Sequence, residues 1–282
     1  MIVSLGQRQR GTLGRALAMA LYVLVTVFPF YWMFVTAFKR NSDLYELQNN
    51  PLIFSEPPTL DHVVYLFTRT LFGTWMWNSL VIGLAVVLIT LVIATPAGYA
   101  LARLDLPGAP QLAIAIFATY LVPPSLLFIP LTRVVSTLGL SNTIWSLIVV
   151  LPTISIPFGT WLLMGFFKNV PMEIEEAALV DGASRAQAVF RVVLPISRAG
   201  LNAAGMFAFA ISLQAFLYPL VFTSSAQVKP VTLGVVTDLV RGDIFYWGEL
   251  MAGALIAGLP VAVVFKFLLN DFIEGITGGA LK

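Results

Sequence analysis

The sequence contains no cysteine and only one histidine among its 282 residues. It therefore has no disulfide, no cysteine-ligated metal site and no thiolate nucleophile. Charged residues make up 11% of the chain and hydrophobic residues 59%, whereas about a quarter of the residues of a soluble domain are charged. The phosphate-binding motif G-x-x-x-x-G-K-[ST] and the zinc motif H-E-x-x-H are also missing. These absences exclude a soluble enzyme and indicate a polytopic membrane protein.

Six apolar segments are long enough to cross a bilayer, which requires about 20 residues. They lie at about residues 16–38, 79–102, 111–131, 143–167, 201–223 and 248–269. The first segment follows several arginines, but its apolar run exceeds the core of a signal peptide, so we predict that it is retained. The sequence thus predicts an all-α polytopic membrane protein with six transmembrane helices, which form a single transmembrane domain over residues 1–282.

The basic residues indicate the orientation of these spans. With both termini in the cytoplasm, ten of the sixteen lysines and arginines fall on the inner side or near it. Because cytoplasmic loops are enriched in basic residues, this distribution predicts an N-in, C-in topology. Residues 168–200 then form a cytoplasmic loop.

The predicted spans contain almost no ionisable side chains. Glu249 lies at an outer edge and Lys266 near an inner edge, and no other charged residue falls within a span. Carriers coupled to ions or protons normally keep such groups inside the membrane. Their scarcity favours an energy source outside the chain. The one histidine, His62, lies in a polar loop, where a solvated or packed surface role is favoured over a metal or proton-transfer role.

Prolines interrupt the third and fourth spans, at Pro123, Pro124, Pro130, Pro152 and Pro157. Such breaks free backbone carbonyl groups, which are tolerated only where protein or a water-filled cavity surrounds them. Two interpretations remain open from the sequence: a translocation path, or kinks that let helices pack. The outer segments, residues 39–78 and 224–247, are candidates for docking, and their Trp75, Trp77, Tyr246 and Trp247 are typical of an interfacial aromatic belt.

The polar loop at residues 168–200 has the signals of two short helices. Pro171 and the three glutamates that follow it suit a helix start. Gly182 is suited to the left-handed conformation that ends a helix. Ser184 and Gln187 have the spacing of a capping box, which starts the second helix.

This loop is too small to bury an apolar core by itself. The Ala177-Ala178 pair and the stripe of Val189, Phe190, Val193 and Leu194 need a surface to pack on, and Pro195 ends the second helix. We expect that surface to be another protein.

The loop also resembles a known family. The pattern E-A-A-x-x-x-G-x(9)-[IV]-x-L-P is similar to the cytoplasmic signature of permease subunits of ATP-binding-cassette (ABC) importers, and is carried here by Glu176, Ala177, Ala178, Gly182, Val192, Leu194 and Pro195. Five segments resemble the carbohydrate-uptake branch of this family, the maltose and glycerol-phosphate type. They are FFKNVP followed by EEAALVDGAS, FPFYWMFVTAFKRNSDL (28–44), Asn78-Ser79-Leu80, GYALARLDLPG (98–108) and EGITGGALK (274–282).

The resemblance implies a type I ABC importer permease in a bacterial or archaeal plasma (inner) membrane, in contact with lipid. Its expected partners are a second, different permease, two ATPase subunits that bind ATP and Mg, and an extracytoplasmic solute-binding protein. No cofactor in this chain and no nucleic acid are expected. The residues implied in ATPase coupling are Glu176, Ala177, Ala178, Asp181, Gly182, Ala183, Leu194 and Pro195, and Thr277 and Lys282 of the 274–282 tail are implied in a further ATPase contact.

The implied solute is a sugar, oligosaccharide, polyol or related compound. One departure bears on it: the branch commonly has W-N-[DE]-F in the fifth span, where this chain has Leu213-Gln214-Ala215-Phe216. Gln214, Tyr218 and Asn78 are candidates for the substrate path, although they could equally bond neighbouring helices. An importer for amino acids or peptides and an ATP-independent carrier or channel remain as alternatives.

Overall fold

The computed structural model describes the backbone of residues 3–241 and 244–280 and the side chains of residues 14–240 and 245–267. The helices are α1 (Val3–Phe38), α2 (Asn41–Tyr45), α3 (Asp61–Arg69), α4 (Phe72–Arg103), α5 (Ala109–Tyr120), α6 (Pro124–Thr137), α7 (Ile144–Val150), α8 (Pro152–Asn169), α9 (Met172–Val180), α10 (Arg185–Ala188), α11 (Leu194–Ile196), α12 (Arg198–Gln214), α13 (Leu217–Phe222), α14 (Val231–Leu239) and α15 (Trp247–Ala280). A π-helical turn at Val189–Val193 joins α10 to α11, and a 3-10 turn spans Ala226–Val228. Two short strands, β1 (Val240–Arg241) and β2 (Ile244–Phe245), pair antiparallel with Val240 opposite Phe245.

Within the residues that the structure describes, four helical segments are each long and apolar enough to cross a membrane: Gly14–Phe38, Phe72–Arg103, Ile144–Asn169 and Trp247–Phe267. Two bent pairs bring the number to six, with α5 and α6 meeting at 91° and the helix that ends at Ile196 meeting α12 at 76°. Helices therefore lie at all six predicted apolar segments, and the predicted all-α polytopic membrane fold is confirmed.

Two of the predicted spans are broken rather than continuous. The third divides between α5 and α6 at residues 121–123, where Pro123 and Pro124 cannot donate backbone hydrogen bonds and restrict the residue before them. The fifth divides between α12 and α13 at Ala215 and Phe216. Both breaks lie inside apolar sequence, so hydropathy alone does not mark them.

Contacts along the chain define two compact units. The first contains the residues up to Thr70 together with Val235–Gly258, and the second contains Leu71–Gly234 together with the residues from Leu259 onward.

The second unit is organised around α4, α8 and α12, which pack against one another. Gly98 of α4 allows close approach to α8, because a Cβ atom there would stand 3.0 Å from the Thr160 carbonyl oxygen. The hydroxyls of Thr90 and Ser155 form a buried 2.7 Å hydrogen bond between the same two helices. Small residues and interhelical hydrogen bonds are typical of membrane-helix packing.

The first unit contains two buried polar pairs. Lys39 Nζ lies 3.1 Å from Asp43 Oδ1, and His62 Nδ1 lies 3.1 Å from Glu249 Oε1. His62 is therefore a packed residue, not a solvated one, with 2% of its surface exposed. No group of three His, Cys, Asp or Glu side chains within the described part of the chain is arranged to hold a metal ion.

The surroundings of Asp43 lower the pKa of its carboxyl group. Burial would raise this pKa, but hydrogen bonds from the Ser55 N–H and from Lys39 bring it below its ordinary value. The Ser55 N–H donates to Asp43 Oδ2 at 2.9 Å, and Lys39 Nζ also donates to the Asn50 carbonyl oxygen at 2.8 Å. Lys39 and Asp43 thus fix the chain that follows α1.

Candidate coupling loop and transport cavity

The turn between α9 and α10 has the local structure that the sequence predicts. Gly182 has φ +91°. Its N–H donates to the Leu179 carbonyl and the Ala183 N–H donates to the Ala178 carbonyl, the bonding pattern of a Schellman motif. Ser184 Oγ then accepts from the Gln187 N–H at 3.3 Å, and Gln187 Oε1 accepts from the Ser184 N–H at 2.9 Å. The predicted glycine turn and capping box are confirmed.

Most of the residues implied in coupling lie at the surface. Glu176, Ala177, Asp181, Gly182 and Pro195 are exposed, and Ala178, Ala183 and Leu194 are half-buried. Beside them, Val180 and Phe190 are 87% and 71% exposed. These ten residues, which we call the coupling surface, combine acidic, small and large apolar side chains.

The expectation that the whole apolar stripe needs another protein is wrong in part. Val193 is fully buried in a cluster with Ala94, Tyr99, Leu163, Phe167 and Ala204 of the second unit, and Val189 and Leu194 pack against the same cluster. The loop folds back on its own helices because the π-helical turn and α11 continue the helix to Ile196. Of the stripe, Phe190 is exposed to a partner, and the half-buried Leu194 is partly accessible to one.

Glu175 is a buried residue that the sequence did not single out. It is 3% exposed and is the only buried side chain of α9. The Tyr99 hydroxyl donates a hydrogen bond to Glu175 Oε1, and Arg103 Nε lies 3.9 Å from Oε2. Arg103 also donates to the Val170 carbonyl oxygen and, at 3.1 Å, to Met172 Sδ. These contacts join α9 to the end of α4.

A cavity of about 420 Å³ opens at the two helix breaks of the second unit. Its lining includes Tyr120, Pro123, Pro124, Gln214, Phe216 and Tyr218. The volume falls within the range of about 300–1,000 Å³ that is typical of ligand pockets, and a mainly apolar lining with a few polar groups is also typical of them. Two of the residues predicted for the substrate path, Gln214 and Tyr218, therefore line the same cavity. The helix breaks at Pro123 and Ala215 form part of the wall of this cavity.

The two polar candidates in this cavity differ in exposure. Gln214 is exposed, whereas Tyr218 is 2% exposed. Within the described residues the Tyr218 hydroxyl makes no hydrogen bond of normal geometry, although Thr153 lies near it. A buried hydroxyl without a partner costs about 1–3 kcal/mol, and contact of this group with a solute stays a prediction.

Asn78, the third path candidate, does not line this cavity. Its amide nitrogen donates to the Gln227 and Lys229 carbonyl oxygens at 2.8 and 3.0 Å. Trp75 is buried beside it and donates to the Ala226 carbonyl at 2.7 Å, so it does not belong to an interfacial belt. Asn78 and Trp75 hold the turn before α14. The tail candidates Thr277 and Lys282 lie outside the residues whose side chains are described.

Comparison with known proteins decides the family. The model of the family described as "Binding-protein-dependent transport system inner membrane component" matches residues 94–277, more than half of the chain. The chain belongs to this family. It is therefore the inner-membrane permease subunit of an ABC importer, a class that works with an ATPase and other subunits.

Two relatives and one solved structure show what the chain is similar to. It is 32% identical to the diacetylchitobiose uptake system permease protein DasC of Streptomyces coelicolor, over 91% of this chain and 92% of DasC. It is 28% identical to the trehalose/maltose transport system permease protein MalG of Thermococcus litoralis, over 93% and 94%. The fold matches a bacterial ABC transporter involved in the import of the acidic polysaccharide alginate with a TM-score of 0.81 at 16% identity, over 94% of this chain and 98% of that chain. The type I permease fold and the resemblance to the carbohydrate-uptake branch are confirmed.

Proposed function

We propose that this chain forms half of the translocation path of an ATP-driven importer for a sugar or oligosaccharide. The observation that carries the proposal is similarity over more than nine tenths of the chain to permeases named for diacetylchitobiose and for trehalose and maltose. Polyols and related hydroxylated solutes have the same recognition chemistry and belong to the same proposal.

The cavity at the helix breaks supports a hydroxylated solute. Tyr120, Phe216 and Tyr218 offer aromatic surface, and Gln214 and Tyr218 offer hydrogen-bonding groups in a site of about 420 Å³. Neutral polar groups without a charged partner suit an uncharged solute, because a buried charge requires pairing. In our proposal the solute passes through this cavity, and Gln214 and the Tyr218 hydroxyl contact it.

The coupling surface supports an ATPase partner. Glu176 and Asp181 are exposed acidic groups that can pair with basic residues, while Ala177 and Ala178 allow a second helix to approach closely. The Schellman turn at Gly182 and the capping box at Ser184 give this surface a fixed shape. We propose that it docks in a groove of one of two ATPase subunits, which bind the ATP and Mg.

Transport would then follow from a population shift. The sequence places only Glu249 and Lys266, both near edges, within the predicted spans, and the buried Glu249 is paired with His62. This scarcity of charge favours an energy source outside the chain over an ion or proton gradient. ATP favours the closed ATPase dimer, and a docked α9 moves with it, so that ATP biases the permease between inward- and outward-facing states. The second permease and an extracytoplasmic solute-binding protein complete the proposed complex.

The proposal is tested by reconstituting the chain with its second permease, ATPase subunits and binding protein in proteoliposomes that contain ATP. Uptake of radiolabelled maltose, trehalose and diacetylchitobiose is compared with uptake of a labelled amino-acid mixture. We expect at least one saccharide to accumulate and to be displaced only by other saccharides. Accumulation of amino acids alone would contradict the sugar assignment while leaving the family intact.

A further inference from the structure

The contact of Glu175 with α4 has a geometry that suits the transmission of movement. On α9 the coupling surface and Glu175 point in different directions, since Glu176 and Ala177 are exposed and Glu175 is 3% exposed. One helix of nine residues thus carries a free surface and an anchored carboxylate. A short helix of this kind contributes little stability of its own, so its position depends on the anchor.

The anchor is built from two residues one turn apart on α4. Tyr99 and Arg103 are four positions apart and share one helix face. The Tyr99 hydroxyl donates to Oε1 of Glu175, and Arg103 is within ion-pair distance of Oε2, at 3.9 Å. Tyr99 is itself fixed by an edge contact with Phe167 of α8, with ring centroids 6.1 Å apart. The carboxylate is therefore attached to a rigid part of the helix bundle.

Arg103 holds the start of α9 as well as its centre. Its guanidinium donates to the Val170 carbonyl and to Met172 Sδ, on the junction between α8 and α9. Two points of attachment, the 170–172 junction and Glu175, restrict rotation of α9 as well as translation. A displacement of the coupling surface is consequently transmitted to the end of α4.

The ion pair between Arg103 and Glu175 is longer than a hydrogen bond. Arg103 Nε and Glu175 Oε2 are buried atoms that make no hydrogen bond with the described residues, and they lie 3.9 Å apart. A normal N–H···O bond is about 2.9 Å long, so a movement of about 1 Å would form it. A small displacement of α9 toward Arg103 would therefore add a hydrogen bond between Arg103 Nε and Glu175 Oε2.

We infer that Glu175 is a positioning residue that couples α9 to α4 through Tyr99 and Arg103, so that displacement of the docked coupling loop moves the transmembrane helices. The inference rests on the proposed function, because it needs an ATPase that displaces the loop. It adds a residue outside the E-A-A signature, and it assigns to Tyr99 and Arg103, near the end of α4, a role in energy coupling.

The test measures the number of solute molecules imported per ATP hydrolysed by the reconstituted full complex. Glu175→Ala removes both contacts, and Tyr99→Phe removes one while keeping the ring against Phe167. Glu173→Ala, which removes an exposed carboxylate of the same helix, is the matched control. We expect the ratio to fall about 2- to 30-fold for Glu175→Ala, the range of coupling changes seen for residues between sites, to fall less for Tyr99→Phe, and to stay at the wild-type value for Glu173→Ala.

A double variant separates coupling from simple loss of structure. If the two residues act through one contact, Glu175→Ala with Tyr99→Phe lowers the ratio no further than Glu175→Ala alone. The ATPase should still copurify with the variants, since the coupling surface is intact. A purely structural role would lower import and ATP hydrolysis together and leave their ratio unchanged, and that result would overturn the inference. Failure of the wild-type complex to import with ATP would instead refute the proposed function.

Discussion

Gly182 and Gly139 end two different helices with the same bonding pattern. Both have positive φ, at +91° and +69°, and a Cβ atom at either position would meet no atom within 4 Å. At Gly139 the N–H donates to the Ser136 carbonyl and the Leu140 N–H donates to the Val135 carbonyl, as Gly182 and Ala183 do at the end of α9. The two glycines therefore have the same local structure, but only Gly182 belongs to the coupling surface.

This equivalence gives a matched test of the coupling loop. Gly182→Val and Gly139→Val both place a β-branched residue at positive φ, at a cost of about 1–3 kcal/mol each. We expect similar losses of thermal stability for the two variants. Only Gly182→Val should reduce the solute imported per ATP, because it alone reshapes the docking surface. Equal import per ATP in both variants would show that the 168–200 loop is ordinary surface.

Reversal of the charge of Glu176 tests the electrostatic part of docking. Glu176→Lys changes an exposed residue, so membrane insertion and thermal stability should stay within about 0.5 kcal/mol of wild type. ATPase-coupled import should fall by about tenfold or more, because a charge at the interface then faces a like charge. Glu173→Lys, with the same change in net charge on the same helix, serves as the control. Equal import by both variants would place Glu176 outside the interface.

The cavity is tested through its buried hydroxyl. Tyr218→Phe removes an unpartnered polar atom, so the variant should be as stable as wild type or more stable. If the hydroxyl bonds the solute, KM for import rises about 2- to 10-fold, which corresponds to one hydrogen bond, while maximal ATP hydrolysis is retained. Tyr22→Phe, at a tyrosine of α1 that is 71% exposed, is the control. An unchanged KM in Tyr218→Phe would exclude Tyr218 from the path.

His62 predicts a pH dependence of stability in the first unit. Burial would lower the pKa of His62, but the hydrogen bond with Glu249 and that with the Lys39 carbonyl raise it above its ordinary value of 6.5, and Asp61 adds to the rise. Nε2 lies 2.8 Å from the Lys39 carbonyl oxygen, which can only accept a hydrogen bond. Nδ1 faces the carboxylate, so the protonated ring satisfies both partners.

The contribution of His62 to the free energy of unfolding is thus present in full below pH 6.5. It is lost as the pH rises through the higher pKa that His62 has in the folded protein. We expect the midpoint temperatures of thermal unfolding of His62→Ala and wild type, measured in detergent, to differ most near pH 6 and to converge at higher pH. Tyr65→Phe, on the same helix, should show a difference from wild type that does not depend on pH over this range. A His62→Ala deficit that grew with pH would contradict the assignment.

Local features of the fold could be predicted because their causes are local. The Gly182 turn and the Ser184–Gln187 capping box follow from residues at most five positions apart. The six apolar segments follow from the bilayer thickness. Pro123 and Pro124 indicated an interruption, but the 91° angle between α5 and α6 depends on packing that the sequence does not display.

The contacts that were not predicted join residues far apart in sequence. Tyr99 and Glu175 are 76 positions apart, and Asn78 and Gln227 are 149 positions apart. Neither pairing has a periodic signal, since each joins single polar groups of segments that only the tertiary fold brings together. For the same reason Val193 was expected to need a partner protein, although the helices of its own chain cover it.

The most direct test of the central claim is import in the presence and absence of the ATPase subunits. Proteoliposomes that contain the permease pair, the binding protein and internal ATP are compared with identical vesicles that lack the ATPase subunits or ATP. The account predicts saccharide accumulation only when both ATPase and ATP are present. Accumulation at the same rate without the ATPase would contradict it, because energy would then enter by a route other than the 168–200 loop.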